Sequence, residues 1–213
     1  MSLKDKQLLT RLFLASCVSV GFFAVHVLMN QSLEFWYMPW NLFLAWMPVA
    51  FSSLYLIKKK WPQPARLLLL LLWLLFLPNS FYVVTDIIHI NDQVRVNQTF
   101  DVLVLVTAIA PAFLLGLLSL RQIDRSTLRK LARPWRRFAL ISIALLCGIA
   151  IYIGRELRWN SWDIIAHPIA LLRDVHGIAM SPDSVLQLSI VMVSFSVCIL
   201  SSYWIFIKTI SNK

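Results

Sequence analysis

Six long apolar runs alternate with short polar segments along the chain. A helix rises about 1.5 Å per residue, so roughly 20 apolar residues cross the hydrocarbon core of a membrane. The pattern therefore predicts an all-α fold, an integral membrane helical bundle of six transmembrane helices in one domain, residues 1–213. The runs cover residues 12–29, 42–57, 67–90, 102–120, 138–153 and 185–207.

Composition supports the membrane assignment. The chain is 59% hydrophobic and 14% charged, whereas soluble domains carry about 45–50% apolar and about 25% charged residues. An ordinary soluble enzyme, a disordered chain and a disulfide scaffold are excluded. Cys17, Cys147 and Cys198 lie inside apolar runs without metal-site spacing, so we expect small buried hydrophobic residues there.

The basic residues predict an orientation. If both termini lie on one face, 16 of the 20 Lys and Arg residues fall on that face and 4 on the other. Short basic loops stay in the cytoplasm, so both termini are expected to be cytoplasmic. The basic loop at residues 121–137 fits this rule and contact with anionic lipid, and a nucleic-acid partner is not expected.

The third run carries a polar interruption. Its leucine-rich part, residues 67–77, rises only about 16 Å as a helix, so the chain must continue to residue 90 to cross. Pro78 removes a backbone donor and predicts that the third span is broken there, near the midplane of the bilayer. Asn79 beside it is suited to cap a restarted helix.

Beyond the predicted break, four polar residues follow helical spacing. Asn79, Tyr82, Asp86 and His89 stand at i, i+3, i+7 and i+10, which places them on one stripe of a helix bordered by Thr85. Such a stripe has to face protein or water, because unpaired polar groups are costly in hydrocarbon. Broken helices at membrane depth commonly mark binding sites.

A second polar cluster follows the fifth run. If that helix continues, Glu156, Asn160 and Asp163 share one face, and Arg155 and Arg158 share another. The predicted topology brings both clusters to the outer membrane face. Residues 164–183 predict a short interfacial helix, either a lid over the cluster or idle on the membrane.

His26 lies one turn from the outer end of the first span. It has no acidic residue near it in sequence, so we expect a packed or solvated histidine.

These motifs resemble a bacterial multi-pass membrane family, the domain of unknown function 1361. The resemblance rests on Leu77-Pro78-Asn79 with the polar stripe after it, and on Gly154-Arg155 with the residues that follow to Asp163. It implies a single unit in the bacterial cytoplasmic membrane and supplies no activity. Ser80-Phe81 departs from the small residue and proline associated with that position.

The first functional hypothesis is a membrane enzyme acting on an anionic lipid head group or a lipid-linked substrate. Asp86 and His89 with Glu156 or Asp163 form a potential set of ligands for a divalent metal, or Asp86 orients His89 as a general base. The identity of any cofactor, a divalent metal included, stays open. Anion and substrate binding is assigned to Asn79, Tyr82, Thr85, Arg155, Arg158 and Asn160.

Three alternatives stay open. A small-solute transporter or binding protein would use an intramembrane Asp86, although residues 1–77 and 102–153 are expected to hold no buried acid for a proton pathway. A membrane assembly subunit without chemistry is the second. The third is structural, with Asp86 pairing with Arg155 or Arg158 to hold two spans together.

Overall fold

The computed structural model describes residues 3–33, 35–91 and 98–211. Within these residues the chain is helical and contains no β-strand, which confirms the all-α fold. The α-helices are α1 Leu3–Asn30, α2 Tyr37–Ile57, α3 Gln63–Tyr82, α4 Gln98–Ser126, α5 Arg133–Glu156, α6 Asp163–Ala166, α7 Pro168–Met180 and α8 Pro182–Ser211. Two 3-10 helices, Val83–Asn91 and Leu128–Lys130, lie between them.

Six helical stretches are long and apolar enough to cross a membrane, as the sequence predicted. Many large apolar side chains on them are exposed, which fits lipid contact. Cys147 is buried as expected, but Cys17 and Cys198 are exposed on α1 and α8. The six stretches are Leu3–Asn30, Tyr37–Ile57, Gln63–Ile88, Thr99–Lys130, Arg133–Glu156 and Pro182–Ile210.

The chain divides into two compact units, Met1–Ser126 and Thr127–Lys213. We call the first the four-helix unit, because it holds α1 to α4, and the second the C-terminal unit. In the four-helix unit, α2 packs against α3 and α4, and α1 packs against α4. A single membrane domain over the whole chain stays a prediction.

Helices α3 and α4 approach closely at Gly116. A Cβ atom there would lie 2.8 Å from the ring of Phe81 and from the Cβ of Ser80. The Phe81 ring packs edge-on against Phe113, with centroids 5.1 Å apart. Ser80 donates a hydrogen bond of 3.1 Å to the Ala45 carbonyl on α2. These contacts make a dense apolar core in the middle of the unit.

The predicted break at Pro78 is displaced along the chain. Helix α3 includes Pro78 and continues to Tyr82, and the 3-10 helix begins at Val83. A proline is tolerated within a membrane helix when neighbouring helices support the segment around it. Pro78 and Ser80 are buried, and Ser80 ties this turn to α2.

The C-terminal unit is built on α5 and α8. The two helices meet at Gly148, where a Cβ atom would lie 2.7 Å from backbone atoms of Met192. The segment predicted as an interfacial helix forms α6 and α7, and α7 packs against α8. Its helical nature is confirmed.

Candidate functional site

Asp86 is a buried carboxylate in the 3-10 helix that follows α3. Its residue exposure is 2%. The side-chain amide of Asn41, about one turn into α2, donates a hydrogen bond of 3.0 Å to Asp86 Oδ2. The donor is a neutral amide of the same four-helix unit. The predicted pairing of Asp86 with Arg155 or Arg158 stays a prediction.

The polar stripe around Asp86 changes course at the 3-10 helix. Side chains three residues apart eclipse one another in a 3-10 helix, so position 86 aligns with Val83 and position 85 with Tyr82. The prediction of a single α-helical stripe from Asn79 to position 89 is therefore wrong. Asn79, Tyr82 and Thr85 are half-buried, and the Thr85 hydroxyl donates to the Tyr82 carbonyl at 2.7 Å.

His89 belongs to the same 3-10 helix. Its side chain lies outside the described residues, so its predicted role stays a prediction. No group of three or more His, Cys, Asp or Glu residues is arranged to hold a metal within the described part of the chain.

His26 forms a second buried polar pair in this unit. Its Nε2 lies 3.1 Å from Asp101 Oδ1, and the two side chains are 2% and 5% exposed. A carboxylate only accepts hydrogen bonds, so Nε2 is the donor. No group of the described residues makes a hydrogen bond with the buried Nδ1. The Phe35 ring packs on the imidazole, with centroids 4.7 Å apart.

The two pairs lie at one end of the four-helix unit, which we call the Asp86 end (His26, Asn41, Asp86 and Asp101). Phe35, in the short connection between α1 and α2, contacts His26, and Asn41 follows soon after it. The sequence indicated His26 as packed or solvated. It is packed, and its acidic partner lies far along the chain on α4.

The opposite end of the unit, the Asp5 end, holds Asp5, Arg121, Gln122 and Asp124. Arg121 donates to Asp5, and Gln122 accepts a hydrogen bond of 2.6 Å from Ser52. Asp5 and Asp124 are buried, the latter at 0% exposure. The expectation that residues 1–77 and 102–153 hold no buried acid is therefore wrong, because α1 and α4 pack together beyond their apolar runs.

The second polar cluster has a different geometry from the predicted helical face. Helix α5 ends at Glu156, and Arg158 has a left-handed backbone with φ of 58°. Glu156, Asn160 and Asp163 therefore share no helical face. Asp163 Oδ2 instead accepts hydrogen bonds from the backbone N–H of Asn160 at 2.6 Å and from its side-chain amide at 3.2 Å.

This turn is also tied to α7. The Trp159 indole donates a hydrogen bond of 2.9 Å to Asp174. Arg155 lies in the last turn of α5, and Arg158 is exposed. A cavity of about 360 Å³ lies beside the start of α7. It is lined by Ala166, His167, Pro168, Ile169, Ala170 and Arg173.

These features define a class: α-helical membrane proteins with buried polar groups at the ends of their spans. The chain belongs to the family described as protein of unknown function (DUF1361), which matches residues 40–201. The matched region includes Asn41, Asp86 and Asp101, and His26 lies before it. No curated protein and no solved structure gives a match.

Proposed function

We propose that this protein is a membrane enzyme that acts on an anionic lipid head group or a lipid-linked substrate at the outer membrane face. The observation that carries the proposal is the buried Asp86 carboxylate, bound by Asn41 at the end of a span. Ionisable residues inside membrane spans are costly, and they commonly serve function. The change from α-helix to 3-10 helix just before Asp86 is also typical of functional positions in membrane helices.

The polar surroundings of Asp86 support this choice. Asp86 accepts a hydrogen bond from the Asn41 amide, and the half-buried Asn79, Tyr82 and Thr85 precede it along the chain. A carboxyl group in such a setting can exchange a proton with a substrate, so we assign Asp86 as the acid–base group.

The second cluster supplies the cations in this proposal. Arg155 and Arg158, in the C-terminal unit, would bind the anionic part of the substrate, a task suited to guanidinium groups. His89, Glu156 and Asp163 are proposed to take part in the chemistry, and Asn79, Tyr82, Thr85 and Asn160 in substrate binding.

Lipid analysis of a strain that lacks this protein tests the proposal. We expect a lipid or lipid-linked precursor to accumulate, and the wild-type chain to restore the normal profile. Asp86→Asn should fold and insert but fail to restore it, because the amide cannot exchange the proton. Asp183→Asn is the control, since Asp183 is an exposed carboxylate in the first turn of α8. Full restoration by Asp86→Asn would contradict the proposal.

Transport of a small solute is the second candidate. The observation in its favour is that buried acids lie at both ends of the four-helix unit, Asp86 and Asp101 at one and Asp5 and Asp124 at the other. Against it, fully buried apolar side chains such as Phe81 and Leu115 fill the core between them.

The same deletion strain separates the candidates. A transporter would change solute levels while leaving lipid structures as they are. An assembly subunit would instead change the abundance of a partner complex.

A further inference from the structure

In the His26–Asp101 pair, one imidazole nitrogen bonds to the carboxylate, and the other has the geometry of a base. The Nε2–H group of His26 donates to Asp101 Oδ1 at a nitrogen–oxygen distance of 3.1 Å. The lone pair of the neutral imidazole is therefore on Nδ1. Nδ1 is buried, and no described group of the protein donates to it. Because a buried polar atom without a partner is costly, this nitrogen points to a ligand that carries a hydrogen-bond donor.

We infer that His26 and Asp101 form a second functional site, a base dyad that binds a hydroxyl group of the substrate at Nδ1. The hydroxyl proton would pass to Nδ1 while the oxygen keeps the bonding electrons, and the Asp101 carboxylate would stabilise the resulting imidazolium. The choice of a head-group hydroxyl rests on the proposed function, in which the substrate is an anionic lipid head group. The dyad itself rests only on the geometry of the four-helix unit.

Phe35 is the cover of this site. It is 1% exposed, and its ring lies 4.7 Å from the His26 ring, centroid to centroid. It sits in the connection between α1 and α2, next to the exposed Trp36. Tryptophans gather where head groups meet the hydrocarbon, so the cover lies at the depth from which a head group would enter. In this proposal a head group reaches Nδ1 by displacing the Phe35 ring.

Acylation by diethyl pyrocarbonate tests the dyad. The lone pair of an imidazole nitrogen attacks a carbonyl carbon of the reagent and displaces ethyl carbonate, and the Nε2 proton is then lost to solvent. Peptide mapping reads each histidine separately in the purified full chain. His167 and His176 are exposed and serve as internal standards for reagent activity.

We expect His26 to react in the folded wild-type chain, more slowly than the two standards. Phe35→Leu should accelerate the acylation of His26 several-fold, because the smaller side chain covers the imidazole less. Asp101→Asn should slow the acylation several-fold, because it removes the charge that stabilises the imidazolium. Thermal unfolding curves establish that each variant is folded. If His26 stays unmodified in both the wild type and Phe35→Leu while the standards react fully, the dyad is a structural pair and the inference is wrong.

The substrate class is tested by protection in reconstituted vesicles. Phosphatidylglycerol and phosphatidylmethanol are both anionic, but only the first carries head-group hydroxyls. We expect phosphatidylglycerol to slow the acylation of His26 and phosphatidylmethanol to leave it unchanged. Equal rates in the two lipids would overturn the hydroxyl assignment. The acylation assay needs no catalytic turnover and leaves Asp86 unchanged. A negative result for His26 is therefore distinct from failure of the proposed Asp86 function.

Discussion

Asp5 and Asp86 are both buried carboxylates of the four-helix unit. Asp5 accepts a hydrogen bond from Arg121, and Arg125 Nη1 lies 3.9 Å from its second oxygen. Asp86 accepts a hydrogen bond from the Asn41 amide. A carboxylate matched by a guanidinium is compensated within the protein, so we assign a structural role to the Asp5 pair.

Removing the guanidinium from this pair tests the structural assignment. Arg121→Leu leaves Asp5 buried without its main cation, and we expect a loss of about 3–5 kcal/mol in the free energy of unfolding. Arg125→Leu is the matched control, because the Arg125 side chain is 43% exposed and its contact with Asp5 is longer, so we expect a loss below about 1 kcal/mol. Denaturant unfolding in detergent measures both. Equal losses would contradict the assignment.

Single residues of the site were predictable to different degrees. Asp86 stood out because a carboxylate interrupts an apolar run, and that signal is local. The contact of His26 with Asp101 joins α1 to α4. The spacing of residues within either segment does not indicate a contact between segments so far apart in the chain. Asp5 and Asp124 were missed because acids beside basic loop residues have the pattern of a solvated segment.

At the scale of elements, helix existence was predictable and helix ends were not. The six apolar runs mark all six long helices, since hydrophobic length alone sets them. The stop after α3 falls at Val83 and not at Pro78, because packing carries the α-helix past the proline. The positive φ of Arg158 prevents α5 from continuing. In a sequence, glycine usually marks such a conformation.

The close contact of α5 with α8 gives a prediction at this scale. Gly148→Ala would place a Cβ 2.7 Å from backbone atoms of Met192, and backbone cannot move aside as a side-chain end can. We expect a loss of about 1–3 kcal/mol in stability. Gly177→Ala, in α7, meets no atom within 4 Å and should be neutral or stabilising by up to about 1 kcal/mol. Thermal unfolding of the two variants compares them, and an unchanged Gly148→Ala would contradict the helix contact.

For the whole molecule, six helices of the described residues are long and apolar enough to cross a membrane, and the orientation is a prediction. Both termini are expected in the cytoplasm, because 16 of the 20 Lys and Arg residues then lie inside. The proposed site depends on this orientation, since it places the Asp86 end at the outer face.

Cysteine labelling in intact cells tests the orientation. Cys17, Cys147 and Cys198 are first replaced, and single cysteines are introduced at exposed positions. Leu33→Cys and Asn160→Cys should react with a membrane-impermeant maleimide from outside. Lys59→Cys and Lys130→Cys should react only after the cells are opened. The reverse pattern would place the Asp86 end in the cytoplasm.

The central claim is that Asp86 acts as a functional group and not as one half of a structural hydrogen bond, and an exchange of the two partners tests it most directly. Asn41→Asp combined with Asp86→Asn keeps one carboxylate and one amide in contact but moves the carboxyl group from the 3-10 helix to α2. We predict that this double variant unfolds at nearly the wild-type temperature and still fails to restore the lipid profile of the deletion strain. Full restoration by the exchanged pair would show that only the hydrogen bond matters and would contradict the account.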